Sequence, residues 1–307
     1  MGAVIAAAWL ADHAFGDPAR RHPVAGFGLV AGRLEARVWR ASRAAGAAYV
    51  ALLVGGAVAA VAAAERALAG RPWLRRAFGI LVLWASLGGR SLERAGLGLR
   101  GALDAGDLPA ARRLAPALVG RDPASLDAGE LARAAVESVA ENTSDAVVAP
   151  LLWAAALGPA GAAGYRAVNT LDAMVGHRSA RYERFGWAAA RLDDAASWPA
   201  ARLSALVAIA AAPLVGGPPR EAWRAAWRDG PAHPSPNAGR VEGAFAGALG
   251  LRLGGVNRYA HGLETRPALG RGRPPQPRDV TRAVRLARIV GVTCAALSIA
   301  LARVVRP

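Results

Sequence analysis

Five stretches of this chain run without a charged residue for lengths that an ordinary globular core does not need: 44–64 (21 residues), 146–165 (20), 203–219 (17), 289–302 (14) and 77–89 (13). A helix rises 1.5 Å per residue, so about 20 apolar residues cross the hydrocarbon of a bilayer. The longer runs therefore predict membrane helices, while 77–89 and residues 1–11 are short enough to be partial spans or buried helices. Inside lipid a backbone must satisfy its own polar groups, and no strand-like alternation is sustained anywhere. The expected fold is all-α: a polytopic integral membrane helical bundle with polar loops, one domain over 1–307. The 54% hydrophobic and 20% charged residues agree with that class. Alanine dominates the runs, so the competing reading is a soluble alanine-rich bundle.

Charge excludes more than it suggests. The net charge is +16, yet all 38 basic residues are Arg and there is no Lys. Without Lys there is neither a phosphate loop ending in GK[ST] nor Schiff-base chemistry. The arginines are spread over every loop, with no basic stripe and no interleaved aromatics, so nucleic acid is not an expected partner. The single Cys294 lies in the last apolar run and reads as a small buried hydrophobe, which excludes disulfides and thiolate metal clusters. Five histidines without metal spacing argue against zinc. "GLGLRG" (96–101) matches a dinucleotide fingerprint only in letters, because no strand precedes it. No targeting segment is legible, so insertion is expected to rely on the internal spans.

If the four long runs and 77–89 all cross, the loops of one side hold 26 Arg and those of the other 12. The positive-inside rule then places 1–43, 90–145 and 220–288 in the cytoplasm. Residues 166–202 fall on the opposite side, although their polar motifs look like part of one site. Pro150 and Gly158-Pro159 interrupt one run, and Pro213 and Gly216-Gly217-Pro218-Pro219 interrupt the next. At least one of these is expected to be broken or re-entrant, lining protein or water. Outside the runs, 108–119 and 127–139 read as amphipathic helices.

The stretch "ESVAENTSDAVVAPLLWAAA" (137–156) crowds acidic residues at the edge of an uncharged run. On a helix Glu137, Glu141 and Asp145 fall at i, i+4 and i+8, one above another. Stacked carboxylates repel, so a cation is expected opposite them, and Mg²⁺ suits carboxylates combined with phosphate oxygens. The alternative makes Thr143 or Ser144 the cap of the following helix, with Asp145 favoured by its dipole. Capping leaves Glu137 and Glu141 unexplained. Similar polar clusters recur: Asn169 and Asp172 in "NTLDAMVGHR", Asp193 and Asp194 in "RLDDAASW", Ser235 and Asn237 in "HPSPNAG", Asp17 and His22 in "GDPARRHPVAG", and Arg121 with Asp122 in "VGRDP". Each alone reads equally as turn chemistry.

The ordered set is more specific. "FGDP", "HPV", "VGRD", "ESVAENTSDAVVAPLLW", "YRAVNTLDAMVGHR", "RYERFGWAAARLDD", "HPSPNAG", "AGALGLRLGGVNRY" and "RPALG" follow one another from about Asp12 to Asp279. This succession closely resembles the adenosylcobinamide-phosphate synthase (CobD/CbiB) family of cobalamin biosynthesis. The resemblance implies a multi-pass protein of the cell (inner) membrane with its active site facing the cytoplasm. It implies a carbon–nitrogen ligase joining the propionate carboxylate of adenosylcobyric acid to (R)-1-aminopropan-2-ol or its phosphate, with ATP as co-substrate and Mg²⁺. Glu137, Glu141, Asp145 and Asp172 would then be catalytic carboxylates, and Glu137, Glu141, Asp172, Asp193 and Asp194 metal ligands. Asn142, Asn169, Ser235, Asn237, Asp17 and His22 would orient substrate, and Arg121, Arg178 and Arg181 would meet phosphate or corrin propionates. Membrane lipids and other cobalamin-biosynthesis enzymes are the expected partners. Two positions depart from the family pattern: Ser197 stands where Asn is frequent, and "GRVE" (239–242) stands for "GWPE". Ser keeps a hydrogen-bonding group and Glu242 keeps the acid. The rivals are a non-catalytic scaffold or signalling relative, a Mg²⁺-dependent membrane transferase, and a transporter, for which no inverted repeat is visible.

Overall fold

The computed structural model describes residues 1–16, 22–119, 123–177, 179–259 and 262–306. In chain order the elements are α1 (Gly2–Phe15), α2 (Pro23–Val38), α3 (Arg43–Ala67), α4 (Pro72–Ser86), α5 (Gly89–Asp104), α6 (Leu108–Leu114), α7 (Ala128–Thr143), α8 (Ala149–Leu157), α9 (Pro159–Leu171), α10 (Trp187–Ala211), α11 (Pro219–Arg224), α12 (Ala238–Leu249), β1 (Leu253–Tyr259), β2 (Gly262–Leu269) and α13 (Pro277–Val305). Three π-helical turns interrupt them, at Ser144–Val148, Asp172–Gly176 and Ala225–Asp229. The protein is an all-α membrane protein whose one exception, among the described residues, is the antiparallel hairpin of β1 and β2. The sequence reading contained no strand, since Gly254, Gly255 and Pro267 hide the alternation.

Three helical stretches are long and apolar enough to cross a membrane: Arg43–Ala67, Trp187–Val215 and Pro277–Val305. The run 146–165 is not one of them. It breaks at Gly158, whose φ of 77° only glycine adopts without strain, and Pro159 starts α9. This is the interruption expected from Gly158-Pro159. The run 77–89 becomes α4, 15 residues long. The stretch 108–119 forms only two turns of α6 and a 3₁₀ turn, Ala115–Ala117.

The chain divides into two compact units. The first comprises Met1–Gly88, Asp145–Ser197 and Ala295–Pro307. In it α8 folds back on α9, and α9 packs on α2, α3 and α4. Glycines make these approaches possible. A Cβ at Gly161 would lie 2.5 Å from the Trp153 carbonyl oxygen and 2.6 Å from Leu157, and one at Gly164 would lie 2.7 Å from Val58. One apolar cluster joins Ile5, Leu83, Leu87, Val147 and Leu151, and a second joins Tyr49, Leu53, Leu171, Val175 and Phe185.

The second unit comprises Gly89–Ser144 and Trp198–Cys294. Asp127 and Glu130 close a reciprocal capping box that starts α7. The centre of this unit is α12, buried along nearly its whole length. Gly243 and Gly247 let the backbone of residues 222–226 lie directly against it. Arg282, near the start of α13, donates to the carbonyls of Leu249 and Val215, both at 2.9 Å. It thereby satisfies the ends of α12 and of the span that precedes α11.

Candidate functional site

Each unit carries its own polar cluster. In the second unit α7 extends to Thr143 without a break, and Thr143 donates to the Val139 carbonyl one turn back (2.6 Å). Neither Thr143 nor Ser144 caps a new helix; the chain widens instead into the π turn Ser144–Val148. The three-carboxylate ladder is corrected at the same point. Glu137 and Glu141 keep their i, i+4 spacing on α7, but Asp145 sits in the π turn, outside the α-helical register. Glu137 is buried and accepts the Gly254 N–H of β1 (2.8 Å), with Arg133 at 3.9 Å. Arg133 in turn donates to the carbonyls of Gly254 and Val256. A buried ion pair on α7 thus holds the hairpin strand. Ser138 donates to the Leu118 carbonyl (2.5 Å), and Asn142 donates to the Ser138 carbonyl (3.0 Å) and hydroxyl (3.2 Å).

"HPSPNAG" reaches the same cluster. The Ser235 hydroxyl accepts the N–H groups of Asn237 (3.3 Å) and Ala238 (3.1 Å), starting α12. The Asn237 side-chain oxygen accepts from Arg202. His233, buried, places Nδ1 3.1 Å from the Ser235 amide nitrogen, and Nε2 3.4 Å from Arg266 and 3.9 Å from buried Glu242. Burial and the neighbouring Arg266 charge hold the imidazole below its ordinary range, against the opposing pull of the Ser235 hydrogen bond and the Glu137 carboxylate. His233 is therefore neutral near pH 7, with one ring nitrogen able to accept a proton. Sequence reading singled out neither His233, Arg133 nor Arg266. The signal for His233 was present, as an imidazole beside two prolines with an acid nine residues on, but turn chemistry accounted for the loop.

In the first unit Asp193 is the hub. It accepts from Asn169 Nδ2 (3.3 Å) and from Ser197 (3.3 Å), whose hydroxyl also meets Tyr165 (3.1 Å). The Asn169 oxygen faces Arg166 at 3.4 Å. The Tyr165 hydroxyl lies within electrostatic reach of both Asp145 and Asp193. Ser197 therefore keeps the hydrogen-bonding function expected of it. Asp172 opens the second π turn, and its carboxylate lies over Gly176, where any Cβ would strike it. Two of the three π turns carry a carboxylate singled out from sequence, Asp145 and Asp172, and such turns concentrate at functional sites.

Other candidates are placed elsewhere. Asp193 and Asp194, as adjacent helical residues, point about 100° apart; Asp194 faces Arg191 (3.5 Å). Arg181 is engaged by Glu35 (2.9 Å), which also accepts from Tyr182, and its guanidinium lies over Trp39 at 4.5 Å. That ion pair and the indole hold the guanidinium in place, with the Arg181 side chain still 50% exposed. His22 caps α2, with Nδ1 accepting from Val24 N–H (3.1 Å). Asp17, Arg121, Asp122 and Arg178 lie outside the described residues.

Among the described residues no three His, Cys, Asp or Glu side chains assemble a metal cage. Mg²⁺ usually binds through one or two carboxylates together with substrate phosphates. Asp145 and Asp193 are the hard-oxygen donors that share a neighbour.

Comparison with known proteins decides the family. The CobD/Cbib protein family profile matches residues 5–287. The chain belongs to the CobD/CbiB family. Three similar relatives are each named cobalamin biosynthesis protein CobD. That of Mycobacterium tuberculosis is 55% identical over 97% of this chain and 95% of its own length. That of Geobacter metallireducens is 45% identical over 91% and 89%, and that of Chromobacterium violaceum 44% over 96% and 95%. No solved structure matches. The matched region of the CobD/CbiB profile includes every described polar cluster above.

Proposed function

We propose that this protein acts in cobalamin biosynthesis as an ATP- and Mg²⁺-dependent amide ligase of the inner membrane. It would join the propionate carboxylate of adenosylcobyric acid to (R)-1-aminopropan-2-ol or its phosphate, at a site open to the cytoplasm. The observation that carries this reading is the near full-length similarity to CobD relatives. The chemistry of the clusters supports it.

A carboxylate is a poor acyl donor, so its oxygen must leave as something better than hydroxide. Transfer of a phosphoryl group from ATP supplies an acyl phosphate; attack by the amine forms the C–N bond, releases phosphate and sheds a proton. Phosphate charge needs neutralising, and without Lys this falls to arginine and Mg²⁺. When bound, Mg²⁺ supplies positive charge at the phosphate oxygens, and Asp145 and Asp193 would hold it. The second unit by itself offers a neutral His233 that can take a proton, Glu137 and Glu242 close enough to stabilise the imidazolium, and Arg133 and Arg266 suited to an anionic group.

The test is a mass-spectrometric ligation assay on detergent-purified protein with adenosylcobyric acid, aminopropanol phosphate, ATP and Mg²⁺, each omitted in turn. The expected result is an amide product that requires all four. Product formed equally well without ATP would eliminate the acyl-phosphate route, and no product despite corrinoid binding would replace the ligase with a scaffold.

A further inference from the structure

Directly after the span Trp187–Val215 the chain turns through Gly216 and Gly217 into α11 and the π turn Ala225–Asp229. This segment, "PREAWRAAWRD", lines an open recess of 620 Å³ with Arg220, Trp223, Arg224, Trp227 and Arg228. The two indoles stack in parallel, 4.7 Å between centroids and 5° between planes. Trp223 is half exposed, and the other side of Trp227 is met by the Arg240 guanidinium at 5.5 Å. Glu221, 3.7 Å from Arg224, leaves the patch strongly positive.

We propose that this face is a docking site for anionic phospholipid headgroups, with the Trp pair at the headgroup boundary and the three arginines on lipid phosphates. Three observations favour this occupant. First, the segment starts within four residues of the end of a span, so it lies at interfacial depth if that helix crosses. Second, Arg282 ties the end of that span, at Val215, to the start of the next, α13, which fixes both span ends at one level beside the segment. Third, Trp at the interface and Arg on the cytoplasmic side are the two residue types that membrane boundaries select, and juxtamembrane arginines attract anionic lipid. A nucleotide base fits less well, because the indoles occupy each other's faces and leave no slot between them. The proposal does not depend on the ligase reading, since it concerns residues outside both polar clusters.

The experiment reconstitutes the full chain into vesicles that contain a low fraction of either brominated phosphatidylglycerol or brominated phosphatidylcholine. Tryptophan quenching is then read as the difference between wild type and Trp223→Phe/Trp227→Phe. Quenching of the pair is expected to be several-fold stronger with the anionic lipid, and to lose about fivefold in apparent affinity per arginine in Arg220→Gln, Arg224→Gln and Arg228→Gln. Equal quenching by the two lipids in wild type, or none by either, overturns the proposal without reference to any variant. Selectivity abolished by millimolar inorganic phosphate at constant ionic strength also overturns it, and would assign the arginines to a soluble anion.

Discussion

The runs 44–64 and 146–165 differ by one residue in length and by nothing in charge, yet they fold in opposite ways. The first becomes one unbroken 25-residue helix, with only 17% of its most apolar window buried in protein. The second becomes α8 and α9, folded against each other and largely buried, and bounded by π turns that carry Asp145 and Asp172. Length therefore states how much apolar surface must be hidden, and Gly-Pro placement decides whether lipid or protein hides it. The acidic residues at the edge of 146–165 belong to the second case: a helix pair inside the protein can border polar groups that a lipid-facing helix must avoid.

The sharpest way to break this comparison is to add bulk at matched glycines. Gly161→Leu forces a side chain into the Trp153 carbonyl and Leu157, so α8 and α9 must part, at a cost of about 3 kcal/mol or more. Gly55→Leu meets nothing within 4 Å and removes a flexible residue from a helix interior, so it should be neutral or gain about 0.5 kcal/mol. Thermal unfolding of the two variants in detergent checks this. Equal losses would mean that the two runs are packed alike.

Function should follow the broken run. Asp172→Asn is expected to slow ligation about 100-fold, the scale of losing a positioned acid or base. Gly176→Ala should slow it about tenfold by displacing the Asp172 carboxylate, a consequence of the overlap rather than of any lost chemistry. Glu65→Gln, at the end of the unbroken α3, should stay within about twofold of wild type. Single-turnover rates decide; a Gly176→Ala enzyme at full rate would remove Asp172 from the site.

Buried polarity should also show in pH dependence. His233 is held below its ordinary value of 6.5, so the unfolded chain binds the proton more readily. Its contribution to stability is complete above pH 6.5 and declines as pH falls towards the lowered native value, by at most about 1.4 kcal/mol per pH unit. Unfolding midpoints at pH 7.5 and 5.5 should differ in wild type and converge in His233→Gln. An unchanged difference in that variant would place the titrating group elsewhere.

How much of this is legible in the sequence follows from range. The plain span α3 and the break at Gly158-Pro159 depend on local chemistry, and both were readable. The hairpin was not, because β1 is fixed from a distance, by Glu137 on the Gly254 N–H and by Arg133 on two strand carbonyls, more than 110 residues away in the chain. The π turns escaped for a related reason: Glu137, Glu141 and Asp145 look equally spaced, and nothing local reveals that the helix widens before the third. The contact of Arg181 with Glu35 is hidden for the same reason, since 146 residues separate the two.

The smallest effect separates neighbours. Asp193 and Asp194 are adjacent in sequence and share α10, so they read as one metal-binding pair, but the helix sends them in different directions. Asp193 gathers Asn169 and Ser197, whereas Asp194 faces Arg191, whose side chain is 68% exposed. An exposed i, i+3 pair contributes about 0.5 kcal/mol or less. Asp194→Asn should therefore leave the unfolding midpoint within about a degree of wild type and ligation within about twofold, while Asp193→Asn lowers ligation by at least about tenfold. If the two variants lost activity equally, Asp194 would have to turn towards the Asp193 cluster during catalysis, and the adjacent pair would be a ligand set after all.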